Sequence, residues 1–155
     1  MPVRWGLDWS RVHSFVVGDR LPNTATERQR FARVDGIASQ VLNHARRLGC
    51  HAVAIEQYAF SRSDGHAFER GELGGVVKLE LFRAGLDVFT YHASSSRKLL
   101  GKAPRKGAKD WAAARLVSTG APVAWLGDQY DAFLAANHHL SIIGGDALML
   151  PAEAA

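Results

Sequence analysis

The chain holds little cysteine, little proline and no long apolar run, and each shortage closes off a class of protein. Cys50 is the only cysteine among 155 residues, so no internal disulfide can form, and the chemistry suits a reducing compartment. The histidines are scattered, and no Cys/His spacing suits zinc. No apolar stretch is long enough to cross a bilayer. Met1-Pro2-Val3-Arg4-Trp5 lacks the apolar core of a secretory signal, and a cytoplasmic location is expected. Neither G-x-x-x-x-G-K-[ST] nor G-x-G-x-x-G occurs, so nothing supports a nucleotide-phosphate loop. Internal repeats and low-complexity segments are also missing.

What is present is a hydrophobic fraction of 47%, enough for a sizeable core at the length of one domain. A single domain over residues 1–150 is expected, with 151–155 a frayed tail. The net charge is +4 with a pI near 9.6, which favours polyanionic partners. Its distribution is more telling. Arg97, Lys98, Lys102, Arg105, Lys106 and Lys109 follow one another with no acid between them, and Gly101, Pro104 and Gly107 break the stretch into loop. A solvated basic loop is the plain account; contact with a phosphate backbone is the functional one.

In chain order, Val3–Asp8 and Val12–Val17 read as strands of a hairpin turned by Trp9-Ser10-Arg11, with a short third strand at Arg20–Asn23 limited by Pro22. Thr24 and Glu27 have the spacing of a capping box. Phe31, Val34, Ala38, Val41, Ala45 and Leu48 then recur at three- and four-residue steps, one apolar helix face closed by Gly49. Arg28, Arg30 and Arg33 fall mostly off that face as a solvated row. His51–Phe60 is the next strand. A helix is expected over His66–Ala84, stopped by Gly85, with Gly71 and Gly75 leaving one bare face for the sheet or a partner subunit. Leu86–Tyr91 is a strand, Ser94–Leu100 a short helix, Ala108–Val117 another, and a last helix opens at Asp128 and runs to Leu140. This alternation means a mixed sheet with helices on its faces.

Four carboxylates occupy suggestive positions. Asp8 ends the first strand, and Glu56 lies on an apolar strand where an unpaired charge is costly. Asp128 and Asp131 are three apart at a helix start and point the same way. Local arginine partners would explain each acid singly. Convergence of all four would need a cation, and hard oxygen ligands suit Mg²⁺ or Mn²⁺. Two such ions about 4 Å apart can activate a water and stabilise a departing phosphodiester oxygen. Tyr58 and Phe60 alternate with Glu56 and are either core or a wedge that stacks on an unpaired base. His138 is either a surface residue or a phosphate contact, and His139 is expected in solvent.

The joint pattern resembles the RuvC-type Holliday junction resolvases of the ribonuclease H-like superfamily. The matching pieces are Gly6-Leu7-Asp8, Val53-Ala54-Ile55-Glu56-Gln57, Gly74-Gly75-Val76-Val77, Ser96-Arg97-Lys98 with its Gly/Lys loop, and Asp128-Gln129-Tyr130-Asp131-Ala132. Trp9-Ser10 stands where the family usually has Pro-Gly. The resemblance implies an α/β, ribonuclease H-like fold with a five-stranded mixed sheet, an antiparallel first hairpin and helices on both faces. It implies a homodimer with Gly71 and Gly75 at or near its interface. It further implies cleavage of branched DNA with two Mg²⁺ or Mn²⁺ ions held by Asp8, Glu56, Asp128 and Asp131, in a bacterial or phage-infected cytosol; a compact viral or mobile-element member would fit. Lys98 and Lys109 would lie among the DNA-contacting basic residues. The rival readings are a nuclease of the same superfamily acting on structured RNA, as in pre-ribosomal RNA processing, and a junction-binding module that does not cut.

Overall fold

The structure, a computed structural model, describes residues 8–18, 21–57, 66–145 and 147. A 3-10 turn at Trp9–Arg11 is followed by α1 (Glu27–Arg47), β1 (Ala52–Glu56), α2 (Ala67–Arg83), β2 (Asp87–Tyr91), α3 (Ala93–Arg97), a 3-10 turn at Lys98–Leu100, α4 (Ala108–Ser118) and α5 (Gly127–Ile142).

The long helices form where the apolar periodicity places them, and their ends follow local chemistry. The cap of α1 is Thr26, not Thr24: Thr26 Oγ1 accepts from the Gln29 amide, and Gln29 Oε1 accepts from the Thr26 amide. Thr24 falls in a turn, closed by the Ala25 amide on the Pro22 carbonyl at 3.0 Å. That turn also replaces the short strand expected over Arg20–Asn23, of which Arg20 lies outside the described residues. Gly49 ends α1 at φ +64° and Gly85 follows α2 at φ +80°, the left-handed conformation that a glycine adopts without a Cβ clash.

β1 and β2 are hydrogen-bonded neighbours. The Asp87 amide donates to the His51 carbonyl at one end, and the Gln57 amide to the Tyr91 carbonyl at the other. Pairing that rises along both strands is parallel, and α2 is the crossover that such a pair requires. The expected five-stranded mixed sheet is corrected here: the described residues form this two-stranded parallel sheet and five α-helices. Val12–Val17 has the alternation of a strand but no ladder among the described residues. Its Ser14 hydroxyl instead accepts from the Gln129 side-chain amide, and His13 to Val16 are exposed. Alternation reports which side chains could share a face; only a hydrogen-bonded neighbour makes the strand. Of Val3–Asp8, only Asp8 is described. Tyr58, Phe60 and the tail 151–155 also lie outside the described residues.

By contacts the chain divides into two compact units. One comprises Met1–Phe15, Ala54–Gln57 and Thr90–Ala155. Its core is Leu100, Ala112, Leu116, Ala121, Tyr130 and Leu134, with Trp9, Trp111, Val117, Trp125 and Phe133 packed against it. It holds the carboxyl halves of both strands. The other comprises Val16–Val53 and Tyr58–Phe89. There α1 lies along α2 and buries Ile37, Ala38 and Ala45 from one helix and Gly74 and Leu81 from the other.

Candidate functional site

Glu56 is the last residue of β1, at the carboxyl end of a parallel strand, where open α/β sheets gather their ligands. It is half-buried. Burial first, and the nearby Asp131 carboxylate second, hold its pKa above the usual 4.5, with Asp128 adding to the rise; Arg97 and Lys109 act against it. Glu56, Asp128 and Asp131 therefore share one electrostatic field.

The two aspartates come from α5. Gln129 Oε1 caps the start of that helix by accepting from the Leu126 amide at 2.7 Å, which sets Asp128 in the first turn, at the positive helix end. Asp131, one turn on, is buried at 6% side-chain exposure, while Asp128 is 96% exposed. A single ammonium joins them. Lys109 Nζ lies 2.7 Å from Asp128 Oδ1 and 3.3 Å from Asp131 Oδ2. Its hydrogen bond to Asp128, reinforced by both negative charges, pushes its pKa up. Lys109 stands at the start of α4 and reaches α5 over Gly127. A Cβ on Gly127 would sit 2.7 Å from Lys109 Cε, so the absent side chain is what lets the lysine stem pass.

Arg97, at the end of α3, is the other partner of Asp131, with NH2 to Oδ1 at 2.8 Å. Its side chain is 15% exposed, and its buried Nε has no hydrogen-bond partner among the described residues. Arg97 and Lys109, expected on the basic loop as phosphate contacts, thus turn toward the acids. Lys98, Lys102, Arg105 and Lys106 are exposed and make no ion pair among the described residues. Gly101 at φ +112° and Gly107 at φ +68° bracket the loop that carries the last three.

Asp8 is held by its own neighbourhood in the chain. Its Oδ1 accepts from the Ser10 amide at 3.1 Å and the Ser10 hydroxyl at 2.6 Å. Among the described residues no three acids, histidines or cysteines stand close enough to share one metal ion. In kind, the donor set still fits a divalent cation. Asp128 and Asp131 already bridge one positive charge, the Lys109 ammonium, and Glu56, raised first by burial and then by Asp131, lies in the same field.

His138 and His139 are placed differently from expectation. His138 stacks on Tyr91 with ring centroids 4.6 Å apart and bonds Ser96 Oγ through Nδ1 at 3.2 Å. His139 Nδ1 is 2.8 Å from the Tyr91 hydroxyl, so it is half-buried and not in free solvent. Both tie α5 to β2 and α3. Arg30 pairs with Glu27 and Glu69, in keeping with a solvated row on α1. Gly71 and Gly75 lie on α2 with open space around them: a Cβ added at either would meet nothing within 4 Å among the described residues.

Sequence reasoning misses the inward turn of Arg97 and the clearance at Gly127. Adjacent helical residues differ by 100° in direction, and nothing in Arg97-Lys98 says which cation goes in. The glycine before Asp128 is a usable signal, since a bare first position on a helix lets another chain segment approach.

No protein-family model and no curated protein matches the chain. Solved structures do. RuvC of T. thermophilus in complex with a Holliday junction substrate aligns with a TM-score of 0.59 and 23% identity, over 81% of this chain and 79% of that one. Another structure of Thermus thermophilus RuvC aligns with a TM-score of 0.63 and 24% identity, over 86% and 79%. The likeness is one of fold: an α/β chain built as RuvC is.

Proposed function

We propose that this chain is a divalent-metal-dependent endonuclease that resolves four-way DNA junctions, leaving 5′-phosphate and 3′-hydroxyl ends. The observation that carries the reading is the one ammonium shared by Asp128 and Asp131 beside a half-buried Glu56 at a strand's carboxyl end. An acid trio in one field, on the fold of RuvC, is the arrangement that such a nuclease needs. A neighbour of the same fold was solved with a Holliday junction substrate, which supports the substrate class.

In this reading Asp8, Glu56, Asp128 and Asp131 hold the metal. When bound, divalent ions supply a water of lowered pKa and charge stabilisation at the leaving oxygen. The chain's own cations do the rest. Lys98, Lys102, Arg105 and Lys106 hold phosphates and set the strand's position without reading bases. With Asp128 and Asp131 engaged by a cation, the Lys109 ammonium that now pairs with them would be available to a backbone phosphate.

A homodimer belongs to the proposal, since opposed strands of a junction need two sites. The exposed face of α2 supports it. Phe68, Leu79 and Phe82 are 86%, 45% and 72% exposed. With Gly71 and Gly75 they form one stripe at helical spacing.

A second reading has its own observation. Arg97 and Lys109 already neutralise both aspartates, as they would in a module that binds junctions and never cuts them. Incubating the chain with a labelled synthetic four-way junction, with Mg²⁺, with Mn²⁺ and with chelator, separates the two. Cutting with either metal and none with chelator is expected, with structured RNA a poor competitor. Asp8→Asn is expected to abolish cutting while junction binding persists. Full activity of that variant, or binding without cutting by the wild type under every metal, would overturn the nuclease reading.

A further inference from the structure

Asp8 is gripped by a residue two places further along the chain. The Ser10 amide and hydroxyl both donate to Asp8 Oδ1, the hydroxyl at 2.6 Å, in the range of a charge-assisted O–H···O⁻ bond. Two donors on one oxygen fix the rotation of the carboxylate. Trp9, between them, is fastened elsewhere. Its Nε1 donates to the Thr119 carbonyl at 2.8 Å. Its ring lies 4.8 Å from that of Phe133 and 5.8 Å from that of Trp125, nearly perpendicular to the latter. Gly120, at φ +102°, leaves the space that the indole fills: a Cβ there would stand 3.1 Å from Trp9 Cδ1. The indole is thus bolted to the α4–α5 connection and, through Phe133, to the helix that carries Asp128 and Asp131.

We propose that Trp9 and Ser10 are positioning residues for Asp8: Trp9 ties the backbone beside Asp8 to α5, and Ser10 presets the carboxylate for a divalent ion. The inference rests on the metal-dependent reading above and adds to it the residues that orient the first acid's carboxylate and fasten its neighbour Trp9 against Phe133 of α5. Ser10 is exposed; its amide bond to Asp8 also caps the 3-10 turn at Trp9–Arg11, whereas its hydroxyl bond is not needed for that turn. Its two bonds to Asp8 orient a ligand before the ion arrives, and outer partners of this kind are worth about ten- to a hundredfold in metal affinity. Trp9 does fill a core position, and its role in register is separable from packing only by a change that keeps the ring.

The test is Mn²⁺ binding to the metal-free full chain, read by the electron-spin signal of free Mn²⁺, with thermal unfolding of the same samples in chelator. Ser10→Ala is expected to weaken Mn²⁺ binding about tenfold with the midpoint in chelator unchanged, and Ser10→Thr, which keeps the hydroxyl, to restore it. Trp9→Phe keeps an aromatic ring and loses the bond to Thr119. It is expected to raise the Mg²⁺ needed for half-maximal cutting without changing the KM for the junction. Mn²⁺ affinity that is the same in the wild type and in Ser10→Ala, while Asp8→Asn weakens it, would overturn the positioning role and leave the nuclease reading standing. A wild-type chain that binds no Mn²⁺ would overturn both. Loss of affinity in Ser10→Thr as large as in Ser10→Ala would also count against the hydroxyl's role.

Discussion

Helices α5 and α2 invert the usual rule of burial in opposite directions. On α5 the residues hidden from water include Asp131 and Asn137, at 6% and 1% exposure. On α2 the residues left in water include Phe68 and Phe82. A buried charge costs free energy unless it is paired, and an exposed aromatic stripe forgoes stabilisation that burial would bring. α5 offsets that cost within the chain, through Arg97 and Lys109. The stripe on α2 has no such compensation among the described residues. The internally paired charge is where the proposed ion or phosphate would bind, and the uncovered apolar stripe is where the proposed second subunit would pack.

The largest effect should come from breaking the internal pairing on α5. Arg97→Ala removes the guanidinium from Asp131 and leaves a carboxylate with little access to water. Breaking a buried pair costs about 3–5 kcal/mol, and the remaining Lys109 contact reduces this to about 2–3 kcal/mol, read as a lower urea midpoint of the metal-free chain. Arg97→Lys should lose less. A midpoint within error of the wild type would mean that Asp131 does not depend on α3 for its charge balance.

Next in size is the stripe on α2. Phe68→Ser with Phe82→Ser should shift a dimer toward monomer by about a hundredfold in dissociation constant, since two buried aromatics are worth about 3 kcal/mol or more at an interface. The monomer should keep its stability, because both rings are already in water. Gly75→Ala sharpens the comparison. Nothing lies within 4 Å of the added Cβ, so the monomer should gain about 1 kcal/mol from helix propensity, while close approach of a second helix is obstructed. Sedimentation of both variants across a concentration series checks this; a chain monomeric at every concentration, wild type included, would leave the stripe without a partner of its own kind.

Much of this frame is readable from residue order. The Gly49 and Gly85 stops rest on local rules and are found where expected, and the strand expected over His51–Phe60 is observed as Ala52–Glu56. Of the expected α1 face Ala38 and Ala45 are buried, while Phe31 and Leu48 are exposed and Ile37 is buried in their place. The spacings Thr24…Glu27 and Thr26…Gln29 overlap as capping boxes, and only the Pro22 turn decides for the second. The strand pattern of Val12–Val17 goes without a ladder because a strand is a relation between two segments. At the site, the nearness of Glu56 to Asp128 and Asp131 is legible from the resemblance to RuvC. The pairing of Arg97 with Asp131 is not, since it depends on how α3 is rotated against α5. Trp9 reads as a turn residue, although a tryptophan in a tight turn is itself a hint that the turn is anchored to a core.

The smallest expected effect separates charge that the chain has balanced from charge that it has left for an ion. Glu56 has a folded pKa raised above 4.5 by burial and by Asp131. For a group raised in this way, the stabilising contribution is fully present below the unfolded pKa and is lost as pH rises through the folded value. Ionised Glu56 therefore works against the metal-free fold at neutral pH. Glu56→Gln keeps the shape and removes the charge, so in chelator it should unfold at a slightly higher urea concentration than the wild type at neutral pH, with the difference gone below about pH 4.5. Mn²⁺ should reverse the order, because an ion bound by the folded state stabilises the wild type and has one ligand fewer in the variant. Should Glu56→Gln be the less stable protein in chelator at neutral pH, the carboxylate would already be satisfied by the chain. The excess of negative oxygen that distinguishes this end of the sheet from an ordinary ion-pair network would then be absent.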